Sequence, residues 1–210
     1  MSDYKKLKVG IINLNINNMF SIYQAFKEIG CNTKIISFNE KNYNYDILVL
    51  PGDGSFSNVI KIFKKNFIDK KNKDLKLKKS KILFGICLGM QLLFDNSYEF
   101  GNTKGLGIIK GSVKKIKKTN NIKVPHIGWN KLHLTNNKKN FIKKKNNKKS
   151  FYFVHSYYCD PKMKENISAY TKNGKTKFCS AVQKDNVIAT QFHPEKSGVI
   201  GLEFLRSILK

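Results

Sequence analysis

Four short strand-like runs, three of them followed by a turn and a stretch of helical periodicity, constrain this chain more than any other feature. They are Lys8–Leu14, Thr33–Phe38, Asp46–Leu50 and Lys81–Ile86. Between the first two, Met19, Ile22, Tyr23, Phe26 and Ile29 recur at near-helical spacing from Asn18 until Gly30 stops the run. A second amphipathic helix is expected from Phe56 to near Lys71, and Cys87–Phe94, after the fourth run, holds helix-forming residues. Strands too apolar to have a wet face, alternating with helices, predict a parallel sheet covered by helices. The second half changes character. Leu106–Ile116, Lys123–Leu134, Phe151–Tyr158, Ile167–Tyr170, Phe178–Gln183 and Val187–Phe192 read as strands, with hairpin turns expected at Asn173-Gly174 and Lys184-Asp185-Asn186. A last helix is expected over Gly198–Leu209. No linker or repeat divides the chain, so residues 1–210 are expected to form a single α/β domain.

Composition matters here because the charge points elsewhere. Lys+Arg is 40 and Asp+Glu is 14, a net +26, which invites a nucleic-acid reading. Yet Arg206 is the only arginine, whereas readers of phosphate and guanine favour its planar fork. Asn is high as well, at 24 residues. Lys and Asn rise together, and Arg falls, when a genome drifts toward A and T, so drift is the preferred source of the charge. No nucleic-acid partner is expected. The stretch Asn136–Ser150, with seven Lys and no acid, is read as a solvated loop pinned by Phe141-Ile142. No apolar run is long enough for a spanning helix, and the first residues lack a secretory h-region, so no membrane and a cytoplasmic location are expected. Cys31, Cys87, Cys159 and Cys179 show neither C-x-x-C spacing nor a nearby histidine ligand. That argues against zinc, and the same context argues against a disulfide framework. No metal or cofactor is expected.

Three segments carry chemistry. Gly85-Ile86-Cys87-Leu88-Gly89 has the form G-x-C-x-G between a strand and a helix, the thiol version of a nucleophile elbow. Such a turn needs glycines on both sides and offers a backbone N–H to a developing oxyanion. A buried structural cysteine at a glycine-rich strand end would look the same. In Gln191-Phe192-His193-Pro194-Glu195, His193 and Glu195 share one face of an extended segment, the base–orienter half of a Cys-His-Glu triad. Alone, that pair would be a histidine at a strand end beside an ordinary acid. Pro51-Gly52-Asp53-Gly54, after a buried strand, can turn N–H groups toward an anion or serve as a plain turn.

Taken together and in this order, these segments resemble the class I, triad-type glutamine amidotransferases. Pro125-His126-Ile127-Gly128-Trp129-Asn130, Tyr152-Phe153-Val154-His155-Ser156-Tyr157 and Gln191–Ser197 narrow the resemblance to the glutaminase subunits of imidazole glycerol phosphate synthase, over essentially the whole chain. The resemblance implies a flavodoxin-like, mostly parallel sheet flanked by helices, with added antiparallel strands in the C-terminal half. It implies Cys87 as nucleophile, His193 as base and Glu195 as its orienter. Gly52, Asp53 and Leu88 would form the oxyanion hole. Gln91, Glu99, His155, Ser156 and Tyr157 would hold L-glutamine. Asn18, Pro125, Trp129, Asn130 and Lys196 would face the partner, a (β/α)8 cyclase of the HisF type. For Trp129 a place in the core is the competing reading.

Two departures stand out. The loop Asn13–Asn18 replaces two glycines of the family pattern with Asn, which tolerates left-handed backbone. Asp53 stands where the family commonly has Val, and a carboxylate aimed inward would oppose an oxyanion. The altered loop keeps open an alternative, a paralogous glutaminase that feeds ammonia to another acceptor, such as a surface-sugar amidinating enzyme. A silent scaffold or nucleic-acid binder is the third reading, and the complete triad opposes it.

Overall fold

The computed structural model describes residues 4–14, 19–37, 44–67, 81–118, 123–137, 140–174 and 176–209. The four expected apolar runs are strands β1 (Lys8–Ile12), β2 (Asn32–Ile36), β3 (Ile47–Leu50) and β4 (Ile82–Ile86), all parallel, in the order β2-β1-β3-β4. Helix α1 (Met19–Ile29) links β1 to β2, and α2 (Phe56–Phe67) lies between β3 and β4. Alternation along each strand divides the core into two layers. Leu48, Leu50 and Leu83 face one side, where α2 contributes Phe56, Val59, Ile60 and Phe63. Ile47, Val49, Phe84 and Ile86 face the other, against Ile22 and Phe26 of α1 and Phe204, Leu205 and Ile208 of α4 (Gly198–Ile208).

After Ile86 the chain departs from the expected helix. The helical segment is only α3 (Leu88–Leu92), and Phe94–Ser97 is already strand β5. β5 is followed by the short β6 (Thr103–Lys104) and pairs in parallel with β7 (Ile109–Lys115). Leu92, Leu93 and Phe94 are all fully buried. Their run of apolar residues therefore fits a strand end as well as a helix, and packing decided between them.

The rest of the chain builds β8 (His126–Lys131), β9 (His133–Leu134), β10 (Ser150–His155), β11 (Tyr157–Pro161), β12 (Ile167–Asn173), β13 (Thr176–Lys184) and β14 (Val187–Thr190). The antiparallel strands β11 and β13 continue the same sheet, and β14 inserts between β13 and β4, parallel to β4. The sheet is thus mixed: the expected antiparallel strands of the C-terminal half extend the parallel half directly through hairpins. Both expected hairpin turns are present, with Gly174 and Asp185 in the left-handed region at φ 56° and 51°.

The expected strand Phe151–Tyr158 splits at Ser156. Its first part, β10, pairs with β8 as a two-stranded ribbon, and its second part, β11, joins the main sheet. The ribbon's inner face rests on an aromatic cluster. Phe151 and Phe192 lie 4.5 Å apart between centroids, and Phe153 is 5.8 Å from both Phe178 and Phe192. Pairs of this kind add about 0.5–1.5 kcal/mol each beyond burial. The lysine-dense loop is pinned as expected, with Ile142 buried and Phe141 edge-on to Phe204, while Lys143, Lys144 and Lys145 are exposed. The expected continuation of α2 toward Lys71, and Asn18 with most of its Asn-rich loop, lie outside the described residues.

Candidate active site

Cys87 stands between β4 and α3 at φ 51° and ψ −107°, a left-handed conformation that L residues with a side chain rarely adopt. Its N–H is tied to the Thr190 carbonyl at the end of β14, 2.7 Å away. Glycines make the turn possible. A Cβ on Gly89 would strike the Leu50 carbonyl oxygen, and one on Gly52 would strike the Ile86 carbonyl and the Leu88 amide. The Pro51–Gly54 turn therefore lies directly on the elbow, with no side chain between the two backbones.

β14 brings the second half of the site. It runs parallel to β4, so its C-terminal end lies beside Cys87, and His193 follows it. A bridge to Tyr152 of β10 holds His193, whose N–H donates to the Tyr152 carbonyl at 2.9 Å. Ser197 braces the same place, donating to the His193 carbonyl at 2.6 Å and accepting from the Tyr152 N–H at 3.0 Å. His193 Nδ1 lies 2.7 Å from Glu195 Oε1, and both side chains are almost wholly buried. Burial alone would lower the His193 pKa, but the charges and hydrogen bonds of Cys87 and Glu195 outweigh it and push it up to about 10. The ring is thereby held ready to carry a proton beside the sulfur.

One cavity of about 320 Å³ gathers these groups. Its wall includes Gly52, Asp53, Cys87, Leu88, His193 and Lys196. Gln91, Glu99, His155, Ser156 and Tyr157, the residues expected around a substrate, line the same space, together with Gly54 and Val154, which were not foreseen. Glu195 stands behind His193 rather than in the wall. Glu99 is partly exposed, and its Oε2 accepts the Phe56 N–H at the start of α2 at 2.6 Å. Asp53 is exposed and turns its carboxylate onto the Gly54 N–H at 2.8 Å.

His155 is buried deep in the wall and surrounded by low dielectric. Burial, with the nearby His126 and His193, lowers its pKa to about 3, although a bond to the Tyr157 carbonyl works the other way. Burial lowers the His126 pKa as well. Both rings are therefore neutral at ordinary pH.

Pro125, Trp129 and Asn130 lie apart from the cavity wall, on and beside the ribbon. Trp129 is 56% exposed, which removes the core reading for it. Alternation in β8 turns Ile127 outward with Trp129 and sends His126 inward. Phe20 at the start of α1 and Val199 at the start of α4 are exposed too. The short turn Pro194–Lys196 touches α1, α4 and β10, so these apolar side chains belong to elements that meet beside the cavity. Residues Phe20, Val199 and Gln191 escaped the sequence reading. For Gln191 a signal existed, since it alternates with Phe192 and so shares the face of His193.

The fold and this constellation define a class. The chain belongs to the class-I glutamine amidotransferases, whose family profile matches residues 11–207. Solved structures agree at the level of fold. PurLQS from Thermotoga maritima superposes with a TM-score of 0.71 at 19% identity, covering 97% of this chain and 98% of that one. A glutamine amidotransferase crystal structure gives 0.64 at 19%, covering 95% and 98%. Within the class, the chain belongs to the HisH family. It is 41% identical to imidazole glycerol phosphate synthase subunit HisH of Caldanaerobacter subterraneus subsp. tengcongensis, over 95% of this chain and 96% of the relative. The HisH of Cyanophora paradoxa is 39% identical, with 97% and 94% covered, and HisH 1 of Campylobacter jejuni 41%, with 96% and 99%.

Proposed function

We propose that this chain is the glutaminase subunit of an imidazole glycerol phosphate synthase, a single cytoplasmic domain that splits L-glutamine and passes the ammonia to a HisF-type (β/α)8 cyclase. The observation that carries the reading is the convergence of Cys87, the buried His193–Glu195 pair and the Gly52-Asp53 turn on one cavity. The relatives named above support histidine biosynthesis as the setting. No relative among them favours a sugar-modifying acceptor.

The chemistry follows from the positions. Cys87 gives its proton to His193 and attacks the side-chain amide carbon of glutamine. The amide oxygen becomes an oxyanion, met by the Leu88 N–H and an N–H of the Gly52-Asp53 turn. The imidazolium of His193 then protonates the departing nitrogen, and ammonia leaves a thioester on Cys87. Water, deprotonated by His193, attacks the thioester, and collapse returns the thiol and glutamate. Glu195 fixes the ring and offsets its charge throughout. Gln91, Glu99 and the 155–157 segment hold the substrate, with Glu99 placed for its α-ammonium. Ammonia in water would be protonated and lost as a nucleophile, so the site calls for an acceptor docked over its mouth. Trp129, Ile127, Pro125, Asn130 and Lys196 supply that face, joined by Phe20 and Val199.

The test is Cys87→Ala in the assembled complex. Glutamine-dependent synthesis is expected to vanish while ammonia-dependent synthesis by the cyclase persists. Loss of both would make Cys87 a structural residue and sink the assignment.

A further inference from the structure

Gln191 is fully buried two residues before His193, and its amide lies against the sulfur of Cys87. Its Nε2 is 3.5 Å from Cys87 Sγ, and its Oε1 is 3.2 Å from Gln91 Nε2. The orientation of both amides is forced by the groups beyond them. The Tyr157 carbonyl can only accept, and it receives Gln91 Nε2 at 3.1 Å and His155 Nδ1 at 2.8 Å. Gln91 therefore turns its amino group toward both Tyr157 and Gln191. Gln191 must meet it with a carbonyl oxygen, which leaves its own amino group for the sulfur.

The same reasoning runs outward along the ribbon. His155 carries its proton on Nδ1, so its Nε2 accepts from His126 Nδ1 at 3.0 Å. His126 Nε2 then accepts from Asn130 Nδ2 at 3.3 Å. Neutral rings are what this alternation requires, and burial keeps both neutral. The Tyr157 carbonyl is thus the meeting point of two donor series, one running from Asn130, beside the exposed Trp129, through His126 and His155, the other from Gln91, whose second N–H turns Gln191 toward the sulfur. Val154 offers the sulfur only a carbonyl, at 3.8 Å, which cannot help an anion.

We propose that Gln191 is a further catalytic residue, whose amide N–H donates to Cys87 Sγ and stabilises it as a thiolate. A donor on sulfur favours the anion before attack and again when the thioester collapses and sulfur departs. Gln91, held by the Tyr157 carbonyl, is the positioning residue that fixes the direction of that donor. The proposal rests on Cys87 being the nucleophile, and the test separates the two.

Cys87 alkylation by iodoacetamide is followed against pH in the unaltered protein, Gln191→Met and Gln191→Leu, with the labelled peptide identified by mass spectrometry. His193, Glu195, His155 and Cys159 are the titratable groups that face or sense the sulfur, and all three proteins share them. Near-UV circular dichroism checks the fold, and the Leu variant carries the test alone if the Met variant does not fold. Loss of one hydrogen bond to an ionised group is expected to slow labelling at pH 7 by about ten- to a hundredfold and to move the midpoint of the profile up. A purely structural role would leave the midpoint where it is. Unchanged midpoints in both folded variants, with Cys87 labelled normally in the unaltered protein, would overturn the proposal. Absence of Cys87 labelling in the unaltered protein would overturn the nucleophile assignment and this proposal with it.

Discussion

His155 should make the protein sensitive to mild acid, and the size of the effect follows from its surroundings. The ring is packed between Phe153, Phe178 and His126, with centroids 5.0–5.8 Å away, and its two nitrogens are committed to Tyr157 and His126. Its pKa is about 3 in the folded chain, against an ordinary value of 6.5. A base whose folded pKa is depressed stabilises the fold above its unfolded pKa, and that contribution drains away as pH falls from 6.5 toward 3. At pH 5 the unfolded chain has gained 1.5 units of protonation advantage, at about 1.4 kcal/mol per unit, so the expected cost is about 2 kcal/mol. His126 adds in the same sense. His193 works oppositely, because its raised pKa contributes stability that is lost as pH rises from 6.5 toward 10 and is constant below that window. Comparison with His155→Gln, which keeps one donor and one acceptor, isolates the His155 contribution together with its coupling to His126 and His193. Urea unfolding of both proteins at pH 7 and pH 5 is the assay. The unaltered protein should lose about 2 kcal/mol more than the variant. Equal losses would refute the view that burial holds His155 neutral.

Two further outcomes follow from the site. Asp53→Val should change glutaminase activity in the assembled complex by less than about tenfold, because the carboxylate is exposed and bound to its own turn; a gain of more than about a hundredfold, the size of a lost oxyanion donor, would mean that it acts inside the hole. Trp129→Ala should leave the thermal midpoint of the isolated chain nearly unchanged, since the side chain is largely in solvent, but weaken assembly with the cyclase by about 2 kcal/mol or more, as measured by calorimetry.

The parallel half of the fold was legible because β1, β3 and β4 are buried on both faces and read as apolar runs, with the more exposed β2 marked by its place after α1. The proposed triad was legible because its demands are local: glycines flanking Cys87, and His193 and Glu195 two apart in extended chain. What escaped depended on partners distant in sequence. Phe94 looks like the end of a helix until β7 pairs with it. Ser156 carries no mark that strands on either side of it join different sheets. Gln191 acquires its meaning from Gln91 and Cys87, a hundred residues away, and the bond directions there are set by a carbonyl on yet another strand. The lysines misled in the opposite sense. They dominate the composition, yet Lys143, Lys144 and Lys145 sit in solvent, while of the 14 acids Glu99 lines the cavity and Glu195 stands behind His193.

The insertion of β14 between β4 and β13 has a consequence for the order in which the molecule comes into being. Synthesis runs from the N-terminus, so the strand that bears the thiol emerges well before the strand that delivers His193 and Glu195. A nascent chain that has not reached Val187 has a gap in the middle of its sheet, and the Cys87 N–H has no Thr190 carbonyl to hold it. Under the proposed assignment such a chain carries a nucleophile without a base. Reactivity is thereby tied to completion: closing the centre of the sheet and switching on the thiol are one event, and a truncated product is inert as well as unstable.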